Sequence, residues 1–145
     1  MNKNASLTDD TGAQSRPWWM TAMAIGCMLT VVVTMIGDFF SEGARDTEVW
    51  FGFEVTGRAA RLTAPLHWAF FAVCAWAFWA RKPWIVRVAA AYAFYAALSH
   101  LVWSEVSENG RGWSIGLVQA AAISSVGFIL LRAGRSVPRD CPPVL

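Results

Sequence analysis

The sequence predicts an all-α integral membrane protein, an antiparallel bundle of four transmembrane helices with a longer external loop between the first and second. Composition is the first indication: 56% of the 145 residues are hydrophobic and only 15% are charged, where soluble domains carry about a quarter charged. Distribution is the second. The runs 17–37, 62–80, 88–104 and 112–131 hold 21, 19, 17 and 20 residues without a charge, close to the roughly 20 that a helix needs to cross about 30 Å of hydrocarbon. The third is the placement of basic residues at the edges of these runs, eight of twelve on one side of an even-numbered set of spans. Together they exclude a soluble globular fold, a disordered chain and a disulfide scaffold, and a net charge of +2 leaves no nucleic-acid footprint.

Residues 1–16 lack apolar periodicity and are expected to be a mobile cytoplasmic tail. The first helix, about 17–40, opens with Ser15 as a cap and Pro17 where a missing amide costs little. A cleaved signal peptide fits poorly, because Asp9 and Asp10 precede an apolar stretch longer than the usual 7 to 15 residues and no clear small-residue cleavage site follows. The connection from Ser41 to Arg61 carries Val49, Trp50, Phe51, Phe53 and Val55 among acidic residues. It reads as an interfacial helix or hairpin covering one end of the bundle.

The second helix, about 62–80, and the third, about 84–105, are joined by Arg81-Lys82-Pro83, a link so short that the two are expected to be antiparallel neighbours. The fourth spans about 112–132, and 133–145, with Pro138, Pro142 and Pro143, is read as a second mobile cytoplasmic tail. The transmembrane domain is thus 17–132. Lys3, Arg16, Arg81, Lys82, Arg87, Arg132, Arg135 and Arg139 fall on the side of the termini, against Arg45, Arg58, Arg61 and Arg111 opposite. The positive-inside rule then predicts an inner (plasma) membrane protein, multi-pass, with both termini cytoplasmic. Cys27 and Cys74 read as small apolar residues within spans, and Cys141 in the tail carries little weight as a lipidation site.

Helical periodicity assigns the faces. Ala89, Ala93, Ala96, Ala97, His100 and Ser104 share one face of the third helix, with Leu98 opposite; Gly112, Gly116, Gln119, Ala120 and Gly127 share one of the fourth. Thr30, Thr34 and Asp38 step by four along the first, and His67 stands near the start of the second. Counting about 1.5 Å per residue inward from the outer boundary places His67 and His100 roughly 5 to 8 Å deep and Gln119 about 10 Å. A structural polar cluster of Thr34, Asp38, His67, His100, Ser104 and Gln119 is therefore expected in the outer third, with Trp76, Trp79 and Trp84 closing the inner half.

Such a cluster holds helices together, each contact contributing about 1 kcal/mol, or it binds something. His67 and His100 are the candidate cofactor ligands, as axial imidazoles of a b-type haem. With Asp38 and Glu105 they are candidate metal ligands, two imidazoles and a carboxylate suiting a transition metal. Of the histidine-facing carboxylates, Asp38 is expected nearest. Trp68, Trp76 and Trp79, with Phe70, Phe71 and Phe78, make the second helix aromatic all round, which suits packing or a pigment groove. No GxGxxG, P-loop, HExxH or GxSxG pattern is present, so no catalytic residue is assigned. The leading expectation is a small polytopic accessory, assembly or interaction component of a membrane complex. Its partners would be the lipid bilayer and a membrane protein or a second copy of itself, with no nucleic acid and no cofactor. The alternative is a redox or metal-binding protein using His67 and His100 for haem, metal or quinone, and the third reading is a small transporter.

Overall fold

The computed structural model describes residues 16–40 and 47–135, which excludes nearly all of both expected tails. Its helices are α1 (Trp18–Phe40), α2 (Arg58–Trp79), α3 (Ile85–Val106) and α4 (Trp113–Arg135), and each is long and apolar enough to cross a membrane. The protein is mostly helical and multi-pass. Large side chains line the outer faces of α1 and α4, among them Ile25, Leu29, Val33, Val118, Phe128 and Ile129, all exposed. Water would disfavour such stripes, whereas lipid solvates them.

Between α1 and α2 the chain forms a two-stranded antiparallel hairpin, β1 (Thr47–Trp50) and β2 (Phe53–Thr56). Of the two forms expected for this segment, the hairpin is the one found. Its loop is Phe51-Gly52, both at positive φ (53° and 87°), the primed turn whose twist matches that of the flanking strands. Phenylalanine is a costly occupant of that conformation. Tyr95 of α3 offsets the cost, accepting the Phe51 amide proton on its hydroxyl at 3.1 Å and packing edge-on to the Phe51 ring at 5.1 Å.

α2 starts at Arg58, four residues before the charge-free run begins, because Gly57 turns the chain at φ +63° and exposed arginines suit a helix outside hydrocarbon. Its other end closes in a Schellman motif. Lys82 N–H donates to the Ala77 carbonyl at 2.9 Å and Arg81 N–H to Phe78 at 3.2 Å, with Arg81 at φ +52° where glycine is usual. Pro83 then prevents continuation, and α3 begins at Ile85.

The core lies beside this turn and draws on all four helices, with Ala24, Cys74, Ala77, Phe78, Ile85, Val86, Ala90 and Leu130 buried. It corrects the expected tryptophan plug: Trp76, Trp79 and Trp84 are exposed, Trp76 by 56%. Lipid and interface accept large indoles, while close helix approach selects the small residues. α1 packs along α2, and α3 along α4; α2 and α3 meet much less closely. Rings explain the difference, since Phe70 and Phe71 of α2 meet Tyr92 of α3 with centroids 4.4 and 5.4 Å apart. On the α3–α4 side glycine lets backbones approach: an added Cβ at Gly116 would lie 2.9 Å from Ser104 Cβ, and one at Gly127 3.0 Å from the Phe94 ring.

Candidate functional site

The polar groups gather at the hairpin end, held by three carboxylates. Period-two alternation puts Glu48 and Trp50 on one face of β1, and both reach His67 on the third turn of α2. Glu48 Oε2 stands 2.9 Å from His67 Nδ1, and the Trp50 and His67 rings stack at 4.4 Å and 6°. A carboxylate only accepts, so Nδ1 carries the proton it donates. Glu54, paired across the ladder with Val49, turns to the end of α3. It accepts from Trp103 Nε1 at 2.8 Å and from Ser107 Oγ at 2.5 Å. The Ser107 hydroxyl first, then the Trp103 indole, lower the Glu54 carboxyl from its ordinary pKa. Asp38 Oδ2, on the last turn of α1, accepts from Trp68 Nε1 at 2.9 Å.

Gly52 fits against α3 so tightly that a Cβ there would meet Val102 Cβ and stand 2.9 Å from the Ser99 carbonyl. On the α4 side of α3, Ser104, 2% exposed, donates from Oγ to the Gly112 carbonyl at 2.9 Å, and Gly112 N–H returns a bond to Ser104 O at 2.9 Å. That reciprocal pair fixes where α4 leaves α3.

The expected residues are only partly brought together. His67 is half-buried and engaged, but its carboxylate is Glu48, not the expected Asp38, which is taken by Trp68. His100 does not face protein: it is exposed, as is Glu105. Ala97 centres the buried α3 stripe, and His100 lies about 60° around the axis from it, on the flank rather than under α4. Ala93, Ala97 and Ser104 on that stripe are buried. Thr34 satisfies its hydroxyl within α1, on the carbonyls of Thr30 (2.8 Å) and Val31 (3.1 Å). Gln119 is half-buried on α4. Among the described residues no three His, Cys, Asp or Glu side chains converge as a metal set would require, so His67, His100, Asp38 and Glu105 do not form one.

Glu48, Trp50 and Glu54 lie outside the four apolar runs, where helical periodicity assigns no site residue. The signal was present: two four-residue runs rich in β-branched and aromatic residues, Thr47-Glu48-Val49-Trp50 and Phe53-Glu54-Val55-Thr56, flank the two-residue Phe51-Gly52 in the pattern of a hairpin, and the pairing sets each glutamate opposite a valine, so that the two carboxylates leave from opposite faces.

A second feature lies between the end of α1 and the start of α2. Asp38, Phe39, Arg61, Ala64 and Trp68 line an open groove of about 240 Å³. Asp38 occupies the last turn of its helix and Arg61 the first turn of its own, the ends where the macrodipole opposes each charge by about 0.3 to 1 kcal/mol. No protein-family model, curated protein or solved structure matches the chain.

Proposed function

We propose that this is a small accessory or assembly component of a membrane complex, built as an antiparallel four-helix bundle in the inner (plasma) membrane. Its termini lie in the cytoplasm and its hairpin on the opposite face. The distribution of basic residues, eight to four, supports the orientation. Residue pairs support the antiparallel course: Arg16, just before α1, donates to the Trp79 carbonyl at the end of α2 at 2.6 Å, while Asp38 near the end of α1 meets Trp68 near the start of α2.

The observation that carries the accessory reading is the Glu48–His67–Trp50 contact. The groups best suited to chemistry hold the hairpin to α2, which supports reading this end as a braced cap and the protein as a scaffold in lipid. Chain solubilised from its native membrane in mild detergent should migrate with partner subunits in fixed stoichiometry. The purified chain should show neither a Soret band nor stoichiometric metal. A Soret band or one bound metal per chain, lost in His67→Ala, would overturn this reading in favour of a redox site.

A further inference from the structure

We propose that the groove between α1 and α2 is a headgroup site for a phospholipid carrying a primary amine. This rests on the four helices spanning a bilayer and not on the accessory role. Asp38 is the first residue after the charge-free run of 17–37 and Arg61 the last before that of 62–80. Both stand where hydrocarbon gives way to headgroups, and they line one groove of about 240 Å³ together with Phe39, Ala64 and Trp68. The groove is open to its surroundings and leaves room between the two charges for a small polar group.

Neither charge serves its own helix, since each sits at the dipole end that opposes it. Together they match a zwitterion. Arg61 presents a planar fork of N–H donors suited to phosphate, and five donors allow it to take a phosphate oxygen alongside a protein partner. Asp38 is oriented by the Trp68 indole on Oδ2 at 2.9 Å, which leaves its other oxygen to accept from an ammonium. A purely anionic headgroup would meet the carboxylate, and a purely cationic one the guanidinium. A quaternary amine has no N–H to donate to Asp38, so a primary ammonium phosphate is selected. The Phe39 and Trp68 rings, 5.9 Å apart and tilted by 32°, form the apolar wall on which glycerol and the first acyl carbons would lie.

Native mass spectrometry of the full chain in detergent, with phosphatidylethanolamine, phosphatidylcholine, phosphatidylglycerol and water-soluble glycerophosphoethanolamine as probes, tests this. Phosphatidylethanolamine should be retained about tenfold or more over the other two lipids, the worth of one charge-assisted hydrogen bond. Asp38→Asn, which keeps an acceptor for Trp68, should abolish that preference while leaving lipid bound. Arg61→Gln should weaken all three lipids, and Arg61→Lys should restore part of the loss. Unchanged helicity by circular dichroism shows that each variant is folded. Equal retention of the three lipids by the wild-type chain, or an unaltered preference in Asp38→Asn, would overturn the site. Retention of the soluble headgroup as strongly as the lipid would reassign the groove to a free amine phosphate and overturn the lipid proposal. A chain absent from the membrane fraction would defeat the bilayer placement itself, whereas a membrane-bound chain lacking the preference would defeat only the site.

Discussion

Gly116→Ala isolates the close approach of α3 and α4. The added Cβ would stand 2.9 Å from Ser104 Cβ, 3.2 Å from Ser104 Oγ and 3.3 Å from Leu101 Cδ1. Ser104 cannot swing aside cheaply, because its hydroxyl is committed to the Gly112 carbonyl. Relief therefore requires the helices to separate, an overpacking cost of about 1 to 3 kcal/mol. Alanine also removes the entropic penalty of a helical glycine, a gain of about 1 kcal/mol. The net expectation is a loss of about 0 to 2 kcal/mol. Gly26→Ala in α1 supplies the reference, since a Cβ there meets nothing within 4 Å; it should gain the propensity term alone. Equilibrium unfolding in mixed micelles, followed by far-ultraviolet circular dichroism, should separate the two variants by about 1 to 3 kcal/mol. Equal shifts of the same sign would refute the claim that glycine at 116 is required by backbone proximity.

Ala93→Leu on the buried α3 stripe should cost about 1 to 3 kcal/mol by the same overpacking, while Leu98→Ala, at a side chain 62% exposed, should be mild in the same assay. His67→Phe keeps a ring on Trp50 and loses the Glu48 contact, so it should destabilise the hairpin less than His67→Ala by about 0.5 to 1.5 kcal/mol, read as faster amide exchange over residues 47–56. The Glu54 carboxyl has its native pKa lowered by Ser107 and Trp103, so its stabilisation is fully present above the unfolded value of about 4.3 and is lost as pH falls through the lowered native value. Hairpin exchange should quicken on acidification through that window, and Glu54→Gln should flatten the dependence. Accessibility labelling of single cysteines should place Asn109 outside and the C-terminus inside; reversed labelling would overturn the orientation.

The spans were legible because hydrocarbon thickness sets a length and the cost of buried charge empties it, a constraint each helix obeys by itself. Even so, the charge-free run marked the wrong start for α2, since Gly57, and not the first uncharged residue, sets where the backbone turns. The α3 stripe of Ala93, Ala97 and Ser104 was legible for the same reason that it is buried, small residues recurring at helical spacing. His100 shares that spacing within about 60°, and periodicity cannot say how wide the neighbour's footprint is at its level.

Which helix pairs lie close was a tertiary outcome. The short Arg81-Lys82-Pro83 link ties the ends of α2 and α3, yet Phe70, Phe71 and Tyr92 hold their axes apart while Gly116 and Gly127 draw α3 to α4. The partner of His67 was equally beyond a helical wheel, which compares positions only on one helix. Glu48 reaches it because a primed turn at Phe51-Gly52 folds β1 back over α2, and the turn is secured by Tyr95, 44 residues away in the chain. By itself the sequence determined how many times the chain can cross a membrane, because that depends on local length and charge. The tertiary structure decided which polar groups meet, because those contacts depend on the sizes of side chains brought together from distant segments.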